Sequence, residues 1–205
     1  MNHFNNFNHK LLPDSFYDQQ YSRAAMYISH ATFLDKHLLG KQDHDLKIIE
    51  FGGSNGFIMT LFNKFSYEVA PNAPIVDVHD LSSYPRNYYD FVILDEILEH
   101  VKKPWVAIEE IYQILKPGGC LITSSPFLIA IHKVPNDYWR FTKEGIEVLL
   151  EKFGTVEIHS WGNATAVTYL MKGMMVSVKD AMNDSQFDLS NNEKFAISVW
   201  AYAWK

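Results

Sequence analysis

The run Glu50-Phe51-Gly52-Gly53-Ser54-Asn55-Gly56 sets a carboxylate directly before a glycine-rich turn. Glycines at the end of a strand let the backbone turn sharply and approach a ligand. No lysine follows Gly56, so the phosphate-cradling pattern G-x-x-x-x-G-K-[ST] is absent, and the dinucleotide pattern G-x-G-x-x-G lacks a counterpart for its third glycine. What remains, E-x-G-x-S-x-G, suits a cofactor carrying positive charge better than a pyrophosphate. Read blandly, it is a tight strand-to-helix connection. Glu68, His79-Asp80-Leu81 and Asp95-Glu96 add acids at the ends of further apolar runs. There Glu68 could accept hydrogen bonds from a ribose, and the Asp80 carboxylate with the Leu81 N–H could read a base edge. Solvated loop charge is the alternative for each acid taken singly.

Histidine is the natural base near neutral pH, with an unperturbed pKa of roughly 6.5. Of nine histidines, two stand where chemistry could occur. His132 lies in the segment Pro126 to Phe141 with Asp137, Tyr138, Trp139 and Arg140, a set that could deprotonate and hold an acceptor. The plainer reading has Trp139 and Phe141 anchoring the loop while Arg140 pairs with Asp137. His100, after Leu98-Glu99, is a second catalytic candidate or a loop brace. His3, His9, His30, His37 and His44 read as surface groups, and His159 ends a late strand. No carboxylate–histidine group has ligand spacing along the chain, so no metal is expected.

These residues need a frame. Leu46 to Phe51, Tyr67 to Val69, Pro74 to His79, Asp90 to Leu94, Cys120 to Ser124, Val156 to His159 and Phe195 to Trp204 read as strands. Helical patterns cover Tyr21 to Leu39, Gly56 to Phe65, Trp105 to Leu115 after Pro104, and the segment capped by Thr142. Alternating strands and helices predict an α/β fold, doubly wound around a mostly parallel seven-stranded sheet with helices on both faces. Residues 1–20 read as a loose arm, and 1–44 as an arm and helix preceding a domain over 45–205. Leu170, Met171, Met174 and Met175 read as core packing, with a homodimer face or an apolar acceptor pocket as the alternatives.

The 205 residues suffice for one self-supporting core, and 47% hydrophobic against 20% charged excludes general disorder. Lys and Arg number 18 against 24 Asp and Glu, a net charge of −6 with no basic stripe, which argues against a nucleic-acid partner. Cys120 is the only cysteine, so no internal disulfide forms, in keeping with a reducing cytoplasmic setting. No apolar window is long enough for membrane insertion, and the N-terminus lacks a signal layout.

Over roughly Lys47 to Gly154 the chain resembles the class I S-adenosylmethionine-dependent methyltransferases of the type-11-like group. The likeness rests on IIEFGGSNG, on DFVILDEILEHVKKPWVAIEEIYQILKPGG (Asp90 to Gly119) and on HKVPNDYWRFTKEG (His132 to Gly145). It implies a Rossmann-like sheet with an antiparallel last strand, S-adenosylmethionine as cofactor and S-adenosylhomocysteine as product. By position, Glu50, Gly52, Gly53 and Ser54 would surround the methionine and sulfonium, Glu68 the ribose, Asp80 and Leu81 the adenine, and Asp95 the methionyl end. Ser54 departs from the family's central glycine, and the stretch between Phe65 and Pro74 is short. The aromatic N-terminal segment with Tyr17, Gln20, Tyr21 and Arg23 would act as a lid. The last span resembles a subgroup associated with glycan and natural-product biosynthesis. The expected activity is O-methylation of a small molecule or sugar unit; the alternative is a cofactor-binding regulatory or scaffold module without turnover.

Overall fold

The computed structural model describes residues 7–42, 46–52, 57–62, 65–71, 76–133 and 135–205. Six strands, β1 (Ile48–Glu50), β2 (Tyr67–Val69), β3 (Tyr89–Leu94), β4 (Leu115–Pro126), β5 (Thr155–Trp161) and β6 (Ser198–Trp204), form one sheet in the order β2-β1-β3-β4-β6-β5. β2, β1, β3 and β4 are parallel, and β6 runs antiparallel between β4 and β5. Among the described residues the doubly wound α/β fold with an antiparallel last strand is therefore present with six strands rather than seven. The missing one is the expected strand at 74–79. Residues 72–75 lie outside the described residues, and 76–79 form turns in which Asp77 Oδ1 accepts the His79 N–H at 3.0 Å. That local hydrogen bond offers the backbone an alternative to a ladder.

Side chains along the strands alternate between two cores. Ile48, Phe91, Ile93, Cys120, Ile122, Trp200 and Tyr202 face one layer; Ile49, Val92, Leu94, Leu121, Val199, Ala201 and Ala203 face the other. This is the period-2 pattern of a sheet buried on both faces. The first layer contains α1 (Ala24–Leu38), α2 (Phe57–Leu61), α5 (Ala164–Met171) and α6 (Val178–Met182). The second contains α3 (Pro104–Ile114) and α4 (Lys143–Leu149). Helix starts follow their chemistry. Pro104 begins α3, Thr142 Oγ1 accepts the Gly145 N–H at 3.1 Å, and Asn163 Oδ1 accepts the Ala166 N–H at 2.9 Å.

Three expectations of burial are corrected. The segment before α1 is not a loose arm from residue 7 onward: Phe16 is fully buried in the core that also holds Tyr27 and Ile93, so one core runs across the expected division at residue 44. His30 is buried rather than exposed, because it lies on the face of α1 that packs on β6. Its Nδ1 contacts the Tyr202 hydroxyl at 2.9 Å, and burial pushes its pKa down to about 4, which keeps it neutral. Met171, Met174 and Met175 are exposed and not core, since α5 buries only Ala166 and the chain rejoins the core at Val176 and Val178.

Candidate active site

The chain runs from β1 out to β2 and returns to the other side of β1 to form β3, so the order reverses between β1 and β3. In open α/β sheets the carboxyl ends flanking such a reversal form the ligand crevice. Glu50 closes β1 there, and Asp95 follows the last residue of β3. By alternation both side chains point to the α1 face. Glu50 is 1% exposed, and its Oε2 accepts a hydrogen bond from the Tyr67 hydroxyl at 2.8 Å. Burial, with the nearby Asp95 charge adding to it, raises the Glu50 pKa to about 7.

The turn after β3 is held from two sides. Ser124 of β4 donates to Asp95 Oδ1 at 2.5 Å and accepts the Glu96 N–H at 2.9 Å. Across the crevice the Tyr27 hydroxyl of α1 approaches Asp95 Oδ2 at 3.5 Å and accepts from Arg23 at 3.2 Å. Arg23 also pairs with Glu96, a non-glycine residue held at φ +53°. Left-handed backbone at such a residue persists where its surroundings over-determine it, as these contacts do. Opposite, Gly52 has φ +78°, and a Cβ there would overlap Cδ1 of Ile97. Only glycine lets the end of β1 lie against the turn that carries Asp95.

A second polar group lies beside the first. Glu99, in a 3-10 turn over Leu98–His100, is fully buried and accepts from Ser125 Oγ at 3.5 Å. Burial, and then the Asp95 charge, lift its pKa to about 7. Its Oε1 has no hydrogen-bond partner among the described residues. Facing that oxygen are His100 Nε2 at 3.6 Å and His132 Nε2 at 3.9 Å, and the two imidazoles meet edge to face at 4.9 Å. Burial lowers the His132 pKa below the usual imidazole value, which favours the neutral ring. The loop after β4 is clamped onto this turn. Tyr138 N–H donates to the Glu99 carbonyl at 2.7 Å, and Trp139 Nε1 donates to the Val101 carbonyl at 2.9 Å. Trp139 also lies beside Phe141 and Trp105. Asp137 pairs with Arg140 through both carboxylate oxygens and accepts the His132 N–H at 2.8 Å.

The structure thus gathers Glu50, Gly52, Asp95, His100 and His132 at one rim. Asp137, Trp139 and Arg140 build the loop that delivers His132, which is the plainer of the two readings of that segment. Tyr138 keeps an exposed ring. Gly53 and Ser54 lie outside the described residues. Three assignments are not gathered there. Glu68 aligns with Ile49, on the opposite face from Glu50, and accepts from the Tyr89 hydroxyl at 3.1 Å, at the amino end of β3. The Leu81 N–H donates to Glu110 at 3.0 Å, so it is not free to read a base edge. Asp80 is an exposed turn acid that accepts the Ser82 N–H at 3.0 Å.

Sequence reasoning passed over Tyr27, Ser124 and Ser125, and named Glu99 only as a neighbour of His100. The one available signal for Glu99 is its place between Leu98 and Val101, which suggests burial. A separate cavity of about 450 Å³ opens between the N-terminal segment, α1 and α2, where Leu12, Leu34 and Leu61 line it with Lys10 and Lys41. None of the gathered rim residues lines it. No described helix is long and apolar enough to cross a membrane.

Residues 61–123 match the family model described as a methyltransferase domain. A probable polyketide synthase 26 from Dictyostelium discoideum is 37% identical over 67 residues, 30% of this chain and 3% of that protein. A demethylmenaquinone methyltransferase from Geobacillus sp. (strain WCH70) is 33% identical over 81 residues, 38% of this chain and 34% of that protein. The chain therefore matches only a small part of these curated relatives. Among solved structures, an S-adenosylmethionine-dependent methyltransferase from Archaeoglobus fulgidus superposes with a TM-score of 0.55 at 13% identity, covering 90% of this chain and 96% of that one. At that identity the likeness is one of fold.

Proposed function

We propose that this chain carries a class I S-adenosylmethionine-dependent methyltransferase domain of the type-11 group, as the family match and the fold support, and that it moves a methyl group onto a hydroxyl oxygen of a small molecule or sugar unit. The observation that carries the reading is the pairing, at one sheet edge, of an acidic crevice with a carboxylate–histidine cluster. The crevice suits the cofactor. Glu50 and Asp95 offer two carboxylates to a ligand bearing ammonium and sulfonium charges, and Gly52 leaves the end of β1 without a Cβ. Glu68, Leu81 and Asp80 lend the ribose and adenine assignments no geometric support, so the proposal rests on the methionine end. When bound, the cofactor supplies an electrophilic methyl group on a cationic sulfur.

This chain's own residues would do the rest. Alignment of donor and acceptor can supply up to ~7–11 kcal/mol of such a barrier. The acceptor hydroxyl is held beside Glu99, His100 and His132 and loses its proton there as the carbon–oxygen bond forms, the carbon–sulfur electron pair staying on sulfur. General-base assistance is worth about 10²–10⁴-fold, so His132→Ala lowers turnover within that range while cofactor affinity stays unchanged. The matches to parts of a polyketide synthase and a demethylmenaquinone methyltransferase support a small-molecule acceptor. The test is transfer of labelled methyl from S-adenosylmethionine into a cell extract separated into small molecules, glycans, proteins and nucleic acids. Label in the small-molecule or glycan fraction is the expected result. Label confined to protein or nucleic acid, or full activity in His132→Ala, overturns the reading.

A further inference from the structure

The three atoms that meet beneath the loop after β4 are all electron-pair donors to one point. The Asn136 carbonyl can only accept a hydrogen bond, and it contacts His100 Nδ1, so that nitrogen carries the proton and Nε2 presents its lone pair. His132 Nδ1 stands 3.3 Å from Asp137 Oδ2, outside hydrogen-bond geometry, and a carboxylate beside Nδ1 favours the same tautomer. Both Nε2 atoms then face Glu99 Oε1, at 3.6 and 3.9 Å. That oxygen is buried and has no hydrogen-bond partner among the described residues. All three ligand atoms lie within 4.8 Å of one another. With the lone pairs so arranged, neither imidazole donates to the other or to Glu99 Oε1.

We propose that Glu99, His100 and His132 form a binding site for a divalent transition-metal cation of the zinc class. The spacing fits. Two ligands at about 2.1 Å from a tetrahedral zinc stand about 3.4 Å apart, so small rotations of the two imidazoles close the cage. Two imidazoles and one carboxylate select a first-row transition metal over magnesium or calcium, which take oxygen ligands. The outer contacts are those of a metal site, each histidine having an acceptor beside its far nitrogen. Three protein ligands leave a fourth position, and the half-exposed His132 puts it on the accessible side of the cluster. The site follows Asp95 on the same chain segment after β3 but uses none of the residues assigned to the cofactor. Its use in catalysis rests on the methyl-transfer reading above and deepens it. A hydroxyl bound at the fourth position would lose its proton to water because it is metal-bound, with His132 acting as ligand rather than base.

The test is binding, measured without cofactor or acceptor. Chain stripped with a chelator is titrated with Co²⁺, followed by visible absorption, and with Zn²⁺, followed by calorimetry. The expected result is one tight site per chain with the absorption of four-coordinate cobalt. His132→Ala and Glu99→Gln should weaken it by more than the roughly 10–100-fold that loss of an outer contact costs. His159→Ala, on exposed β5, should leave it unchanged. His132 is half exposed in a loop, so its variant tests the site even where Glu99→Gln fails to fold. No one-to-one binding at millimolar metal, or equal affinity in wild type and His132→Ala, overturns the proposal. Methyl transfer without metal binding removes the cation alone, and metal binding without methyl transfer removes the reaction alone.

Discussion

Glu50→Gln separates what the crevice costs the fold from what it does for a ligand. The wild-type carboxyl is 1% exposed and hydrogen-bonded to Tyr67, with a pKa raised from 4.5 to about 7. Between those two pH values the native carboxyl keeps a proton that the unfolded chain has released. The folded state then binds more protons, so stability falls as pH rises through this window and does not return above it. The size is about 3 kcal/mol, at 1.36 kcal/mol per pKa unit. In a chain of this length that is about 6–12 °C in Tm. Glutamine keeps an acceptor for Tyr67 and carries no charge. The variant should therefore match wild type near pH 4.5, and be more stable by about 3 kcal/mol at pH 8. Glu99, raised to about 7 by the same cause, leaves a residual slope in both proteins. Urea denaturation at pH 4.5, 6, 7 and 8 reads the difference. At pH 8 the same variant should bind S-adenosylmethionine more weakly by about 1.5–3 kcal/mol, the worth of a hydrogen bond to a charged group. Parallel stability profiles for the two proteins would refute the buried-charge argument, and unchanged cofactor affinity would remove Glu50 from the site.

Gly52→Ala should destabilise the fold by roughly 1–2 kcal/mol from its left-handed backbone alone, and more through the displaced Ile97. Adding Ile97→Ala should relieve the overlap and not the backbone strain; a double variant no more stable than the single one would show that the overlap is not what matters. Arg23→Ala removes the partner of Glu96 and Tyr27 and should cost about 1.5–3 kcal/mol in chemical denaturation, with no loss meaning that Ser124 alone holds the turn. Asp137→Ala frees Arg140 and the His132 backbone and should lower turnover by at least as much as His132→Ala, whereas full turnover would show that the Tyr138 N–H and Trp139 suffice to hold the loop.

The central strands were legible because Ile48-Ile49 and Phe91 to Leu94 are continuous apolar runs, as strands buried on both faces require. Pro104 and Thr142 mark helix starts by local chemistry that no tertiary contact overrides. The stretch 74–79 misled because its apolar residues sit beside Asp77, whose side chain captures the backbone of His79. His30 misled because one histidine on a helix carries no sign of which face it occupies. At the site, Glu50 and Asp95 were readable from their places after strands. Glu68 was not, since a one-residue register difference moves a side chain to the other face of a sheet. The Glu99 cluster was invisible along the chain because its third member, His132, arrives from beyond the next strand.

The position of β6 has a consequence for how the protein is made. Residues 198–204 pair with β4 on one side and β5 on the other, so a strand formed late in the sequence fills the interior of the sheet. Until it does, β4 presents an open hydrogen-bonding edge along Cys120 to Ser125, residues that are buried in the finished molecule. Such an edge is a template for other chains. The same strand carries Ser124 and Ser125, the hydroxyls that hold Asp95 and Glu99. Shortening the chain before residue 198 should therefore give aggregation rather than a soluble protein of lower activity. In synthesis, the rim becomes rigid only when the inserted strand closes, and a chaperone that shields β4 until then would protect yield and site together.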